Sequence, residues 1–359
     1  MKYYLWTIGC QYNEWDSARL GYLLQKLGLI ESKQEDADII IVLACSVRQT
    51  AIDRIFGKIK SWPDKKVLIS GCVLEKDRAK FAAKNIEIFE SGDIKHLFEI
   101  LSEHFDNRFE HFKLSEFYSL LSEQNTQSMY IPITIGCNNF CSYCAVPYTR
   151  GREKSRAMDE VVNDAKTLIK KGQKEIMLLG QNVNSYNAGR NESGIINGGK
   201  TKSDFALLLE KLNDLPGDFK ISFTSNHPKD MTDDIIEAVA RLPKVIKQIH
   251  LPLQSGSDKI LKAMNRPYTK KQYLDIVNKI KTAEVPIKIT TDVIVGFPGE
   301  TEKDFQETVE VFKKVGYSIA YVNKYSPRAG TAAHKLGDPI AWSEKKRRWK
   351  ILDEIANKK

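Results

Sequence analysis

Six cysteines carry the reactive chemistry of this chain, and they fall into two sets of three. Cys137, Cys141 and Cys144 stand together in GCNNFCSYC, a C-x3-C-x2-C run. Cys10, Cys45 and Cys72 are spread along the first seventy-odd residues, each at the end of an apolar run. Three thiolates can hold three irons of a 4Fe-4S cluster and leave the fourth iron open to a small ligand. A structural zinc site asks for four ligands, commonly in two separated pairs. The compact run offers three, and His227 and His250 are each at least eighty residues away. Thiols used as cluster ligands need a reducing compartment, so the sequence predicts a cytoplasmic location and no disulfides.

The elements around the cysteines suggest how they are positioned. Tyr3–Ile8, Asp38–Ala44, Lys66–Ser70 and Ile86–Phe89 read as apolar strands. Helical spacing separates them over Ser17–Leu27 and Ala51–Ile59, and resumes from about Ile94. Continuous apolar strands alternating with helices predict an open parallel sheet covered on both faces. Three of these strands end at a cysteine, and ligands of such sheets bind at that edge. A cysteine after an apolar strand is also a common core residue, but three on one inferred sheet make that coincidence less attractive. Residues 102–128 are polar and read as a linker or peripheral segment.

A second series begins at Tyr130, with strands near Ile131–Ile135, Ile176–Leu179, Phe219–Phe223, Lys247–Leu251, Ile287–Val295 and Ser318–Asn323. Apolar faces such as Val161, Ala165 and Leu168, or Tyr273, Val277 and Ile280, mark helices between them. Thr301 with Asp304 reads as an N-cap and its acidic partner. Six strand–helix units predict a partial (β/α)6 barrel with its chemistry at the C-terminal strand ends. The expected domains are 1–125 and 126–359, and Asn187–Lys200 is a glycine- and asparagine-rich insertion.

The remaining numbers are permissive. A chain of 359 residues accommodates two domains, and Lys+Arg 55 against Asp+Glu 46 leaves +9, a mild bias toward polyanions such as RNA. The N-terminal MKYYLWTIGCQYNEWD turns polar too soon for a signal peptide. No apolar stretch approaches the roughly 20 residues that span a bilayer.

GCNNFCSYCAVPYTRGREKSR resembles the cluster loop of the radical S-adenosylmethionine (SAM) superfamily, specifically its methylthiotransferases. The resemblance implies that Cys137, Cys141 and Cys144 hold a cluster whose open iron binds S-adenosyl-L-methionine. An electron then cleaves the sulfonium to a 5′-deoxyadenosyl radical. It further implies that Tyr143 and Ala145 line the adenine side, and that Gly180, Gln181 and Asn182 meet the methionine amine. Gln254 of HLPLQSGS, with Asp292, Gly296 and Glu300 of DVIVGFPGE, completes the cofactor contacts. TIGCQYN, ACSVRQTA and GCVL resemble the family's N-terminal domain, which implies a second 4Fe-4S cluster on Cys10, Cys45 and Cys72 that serves sulfur supply. Two departures stand out, Tyr12 where the family has Met and Leu43-Ala44 where it has Asn-Thr. Neither touches a ligand.

Family members act on isopentenylated or threonylcarbamoylated adenosine-37 of tRNA, or on an aspartate of a ribosomal protein. LLGQNVNSY and HLPLQSGSDKILKAMNRPYT lean to the first. Arg150, Arg152, Lys154 and Arg156 follow the cluster loop and suit RNA phosphates, although a solvated charged surface reads the same way. The implied partners are a tRNA anticodon stem-loop, an electron donor such as flavodoxin or ferredoxin, and a sulfur source. A monomer without membrane attachment is expected. The family usually carries a third, C-terminal domain of the TRAM type, whereas this chain stops after EKKRRWKILDEIANKK. Both cluster sites are expected to survive without it; full tRNA affinity is not. A non-catalytic tRNA-binding module stays as the alternative class, although it has no need of an open-iron triad.

Overall fold

The structure is a computed structural model that describes residues 1–46, 49–90, 93–104, 129–188 and 202–357. Residues 105–128 of the expected linker and 189–200 of the expected insertion lie outside the described residues. The chain divides into two compact units, Met1–Ser128 and Met129–Lys359.

The first unit is built on five parallel strands, β1 (Lys2–Thr7), β2 (Ile30–Glu31), β3 (Ile39–Cys45), β4 (Lys66–Cys72) and β5 (Glu87–Ile88), in the order β2-β1-β3-β4-β5. Every residue of β3 is buried. Its side chains alternate between two cores, as strand geometry requires. Ile39, Ile41 and Leu43 pack with Leu20, Leu24 and Leu97 from the helices Gln11–Lys26 and Ile94–His104. Ile40, Val42 and Ala44 pack with Ile52, Ile55 and Phe81 on the other face. The sequence expectation missed β2, a two-residue exposed edge strand with no apolar pattern.

The second unit holds two three-stranded parallel sheets. One is β10-β9-β6, from β6 (Tyr130–Pro132), β9 (Glu175–Leu179) and β10 (Lys220–Phe223). The other is β11-β12-β13, from β11 (Gln248–His250), β12 (Lys288–Val295) and β13 (Ile319–Lys324). A parallel bridge between Ile221 and Val245 joins them into a curved six-stranded array, an incomplete barrel backed by helices. One core cluster runs through all six strands' surroundings, including Ile131, Ile176, Phe223, Ile249, Val293 and Ala320. The expected strand Ile131–Ile135 is broken at Ile133. Thr134–Ile135 (β7) turns away to pair antiparallel with Lys154–Ser155 (β8), closing the base of the cysteine loop.

Thr301 and Asp304 form the expected capping box of the helix Glu302–Val315. Asp304 also accepts from Ser257 Oγ at 2.7 Å and from Lys259 Nζ at 2.9 Å. Burial alone would raise the pKa of this carboxyl, but the bonds from Thr301, Ser257 and Lys259 outweigh it and hold it well below the usual carboxylate range. A depressed folded-state pKa contributes stability that is present above the unfolded value near 3.9 and lost as pH falls through the folded value. Asp304→Asn is therefore expected to lower stability near neutral pH by about 1.5–3 kcal/mol. The gap from wild type should narrow toward about pH 3. Thermal melts of both apoproteins across that range test it; a gap independent of pH would contradict it.

Candidate functional site

The cysteine loop leaves the barrel through Gly136, whose φ of 78° favours glycine. A Cβ there would lie 2.2 Å from the Arg152 carbonyl oxygen, so no other residue fits. The Cys137 N–H donates to the Gly151 carbonyl at 3.2 Å, and the Cys144 N–H turns back to the Cys141 carbonyl at 2.9 Å. Cys137 and Cys141 are buried and Cys144 is half-buried. A distant segment completes the loop. The Ser142 N–H donates to the Met264 carbonyl at 3.0 Å and Ser142 Oγ to that of Ala263 at 2.8 Å. Asn265 Nδ2 donates to the Asn139 and Phe140 carbonyls at 3.2 and 3.0 Å.

Burial pushes the Cys137 thiol up and the Cys144 thiol up to about 12, and the neighbouring thiols add to both shifts. Thiols raised in this way, as Cys137 and Cys144 are, ionise most readily when cations take the charge. The compact run offers three thiolates within eight residues, a number that suits a cluster with one open iron better than a closed four-ligand zinc site.

The later strand ends surround polar atoms that the protein leaves unanswered. Gly180, after β9, is tight against Thr134, whose Oγ1 lies 2.2 Å from where a Cβ would be. Gln181 Oε1, Asn182 Oδ1, Thr134 Oγ1, Asn226 Oδ1 and His227 Nε2 are buried without a hydrogen-bond partner. Asn182 Nδ2 donates to Asp230 at 2.7 Å, which fixes its oxygen as the open group. His227 Nδ1 accepts the Lys229 N–H at 3.2 Å, so a neutral ring carries its proton on Nε2. Burial first, then Arg266 and Lys229, push its pKa down to about 2, so the ring is neutral. Acceptors and a donor left open in a dry place suit a ligand with both kinds of group. Asn226 and His227 were not read from the sequence; the turn SNHP carries no chemical signature of its own.

Gln254 has a φ of 64° and bridges Val293, while Asp292 accepts from His250 Nε2 at 3.0 Å. Gly296, with a φ of 72°, has Lys345 Cγ 2.4 Å from where a Cβ would be. Glu300 Oε2 accepts the Gly296 N–H and Arg348 Nη1, both at 2.6 Å, bonds that shape the loop after the strand. Tyr143 packs with Ile260, Met264 and Phe297, and Ala145 caps the short helix Val146–Thr149.

In the basic stretch, Lys154 is exposed on β8 and the Arg152 guanidinium lies 4.3 Å from the centre of the Phe140 ring. Arg150 is half-buried, at the end of the short helix. Arg156 is taken up internally, donating to Asp164 Oδ2 at 2.7 Å and to the Pro132 carbonyl at 3.1 Å.

In the first unit, Cys45 and Cys72 are register partners on adjacent parallel strands, about 4.8 Å apart at their backbones. Cys10 follows β1 and stands at the N-cap of the helix Gln11–Lys26. Gly9, φ 139°, passes so close that a Cβ would sit 2.9 Å from Cys45 Cβ. Asn13 is fully buried, and its Nδ2 donates to the Ile8 and Ala44 carbonyls, both at 2.8 Å, tying the ends of β1 and β3. Three cysteines thus reach the C-terminal edge of three neighbouring strands.

A partial barrel carrying a three-cysteine loop after its first strand defines the radical SAM superfamily, and the model of that superfamily matches residues 131–312. Residues 2–89 match the model described as Uncharacterized protein family UPF0004. The chain is 39% identical, over 99% of its length and 81% of the relative's, to tRNA-2-methylthio-N(6)-dimethylallyladenosine synthase of Clostridium botulinum (strain Okra / Type B1). It is 40% identical to the synthase of the same name from Thermoanaerobacter pseudethanolicus, covering 100% of this chain and 78% of that one. A radical S-adenosylmethionine methyltransferase from Kitasatospora setae shares the fold, with a TM-score of 0.59 at 13% identity over 90% of this chain and 72% of that one. The chain belongs to the tRNA-2-methylthio-N(6)-dimethylallyladenosine synthase family of radical SAM enzymes.

Proposed function

We propose that this enzyme inserts sulfur and a methyl group at C2 of N6-dimethylallyladenosine at position 37 of tRNA. The observation that carries the reading is 39% identity to a synthase named for that product, over nearly the whole chain. The six cysteines are free thiols, which supports two three-ligand sites. We assign one 4Fe-4S cluster to Cys137, Cys141 and Cys144 and a second to Cys10, Cys45 and Cys72. The first, with S-adenosylmethionine, supplies the radical that removes a hydrogen, and the second holds the sulfur source.

The chain's own residues bind and orient. Gln181 and Asn182 offer acceptors to an ammonium, and the tight Gly180 brings the backbone close. Tyr143, Ala145, Gln254, Asp292 and Gly296 shape the nucleoside side. Glu300 acts through the loop it holds. An electron donor such as flavodoxin or ferredoxin, a separate sulfur source and a monomeric enzyme complete the reading. No helix of the described residues is long and apolar enough to cross a membrane.

Arg150, Arg152 and Lys154 are assigned to RNA phosphates, with Arg156 contributing only its charge. Neutralising Arg150 and Arg152 to Gln should weaken binding of an anticodon stem-loop. It should also flatten the salt dependence, by about one logarithmic unit of slope for each phosphate that is no longer neutralised. A salt titration of both proteins checks this, and an unchanged slope would mark the patch as solvated surface. The function itself is tested by mass spectrometry of tRNA nucleosides from cells with and without the gene. Loss of the 2-methylthio form alone is expected. Loss of a threonylcarbamoyl derivative, or of a methylthio group from a ribosomal protein, would replace the reading.

A further inference from the structure

The segment that braces the cysteine loop also delivers a charge. Asn265, in the left-handed conformation at φ 55°, ends the turn after the helix Asp258–Ala263 and aims the next residue inward. Arg266 is buried, 7% exposed, yet carries a full guanidinium. Its Nη1 lies 3.3 Å from Cys141 Sγ. Its Nε donates to Tyr268 Oη at 2.9 Å and its Nη2 to the Pro252 carbonyl at 3.4 Å. Tyr268 is itself pinned, donating to the Pro252 and Leu253 carbonyls at 3.1 and 3.0 Å. A buried cation is costly unless each of its donors is answered. Here two of its three nitrogens are answered by the barrel and the third points at a sulfur.

We propose that Arg266 is a positioning residue of the iron–sulfur site, whose guanidinium donates to the Cys141 thiolate and so sets how readily the site accepts an electron. The inference rests on the cluster assigned to Cys137, Cys141 and Cys144. Reduction adds one electron from a low-potential donor, and part of the added negative charge falls on the thiolates. A fixed cation with a hydrogen bond to one of them stabilises the reduced state, because such bonds and the net charge tune cluster potentials. Charge-assisted bonds are stronger than neutral ones, and low dielectric strengthens them further. The bond also fixes the Cys141 rotamer before any iron arrives.

The test is a dithionite redox titration followed by electron paramagnetic resonance, on reconstituted wild type, Arg266→Gln and Arg266→Lys, with iron and sulfide counted in each. The relevant wave is the one that disappears in Cys141→Ala. Arg266→Gln is expected to shift its one-electron equilibrium about tenfold toward the oxidised form, about 59 mV more negative. Arg266→Lys should shift it less, since it keeps the charge and loses the fork. If Arg266→Gln holds no cluster, an intermediate shift in Arg266→Lys supports the inference and a wild-type potential there overturns it. Unchanged potentials in both variants at full iron overturn it while leaving the cluster reading intact. Absence of a Cys141-dependent wave in wild type removes the cluster reading, and the inference with it.

Discussion

Cys141→Ala should halve the iron of the reconstituted protein, from about eight per chain to about four, taking four irons per cluster. Release of 5′-deoxyadenosine from S-adenosylmethionine should fall below detection. In the proposed cluster the central thiol of the compact run is one of three protein ligands, and its loss leaves two. The loop should nevertheless stay folded. Most of the bonds that hold it run through Ser142, Asn265 and backbone groups, and the Arg266 contact is what goes with the Cys141 sulfur. Removing one buried sulfur costs far less stability than the core of this unit provides. Loss of activity with an unchanged circular dichroism spectrum therefore separates a missing ligand from a misfolded barrel. Full iron and ordinary cleavage in the variant would falsify the assignment of the loop.

Replacing Cys10, Cys45 and Cys72 together by Ala should give the opposite pattern. Iron should again fall to about four per chain, cleavage of S-adenosylmethionine should persist, and methylthio product should vanish. Cys45 and Cys72 are 8% and 6% exposed at the ends of their strands. Their backbone pairing does not depend on the sulfurs. Asn13 continues to tie β1 to β3. The sheet should survive, so the loss can be attributed to the ligands. The measurement is paired chromatography of 5′-deoxyadenosine and of modified nucleoside from the same reaction. A triple variant that still delivers product at the wild-type rate would sink the second cluster.

The two variants probe what was legible in the sequence, because cysteine spacing and apolar runs are local signals. The parallel N-terminal sheet and five of the barrel strands lie close to where those runs placed them, shifted by a residue or two at their ends, while the first barrel strand ends three residues early at Pro132. Much of what was not legible is long-range. The brace on Glu300 carried no signal because its partner, Arg348, stands 48 residues downstream on the last helix. Arg266 carried no signal because its target is 125 residues away. The helix expected from Ser17 starts at Gln11, since its cap is Cys10 and not one of the usual capping residues. Single long-range contacts have no periodicity, so a chain met as a string does not display them.

The brace on the cysteine loop has a consequence for the order in which the protein is made. Cys137 to Cys144 occupy eight consecutive residues and leave the ribosome almost together. Their supports, Ala263 to Arg266, follow 121 to 126 residues later. At about 5–20 residues per second, that is a delay of about 6–25 seconds. Cys10, Cys45, Cys72 and the strut Asn13 all belong to the first 72 residues. The triad that is scattered in sequence is thus completed early in synthesis, and the compact one waits as bare thiols until most of the barrel exists.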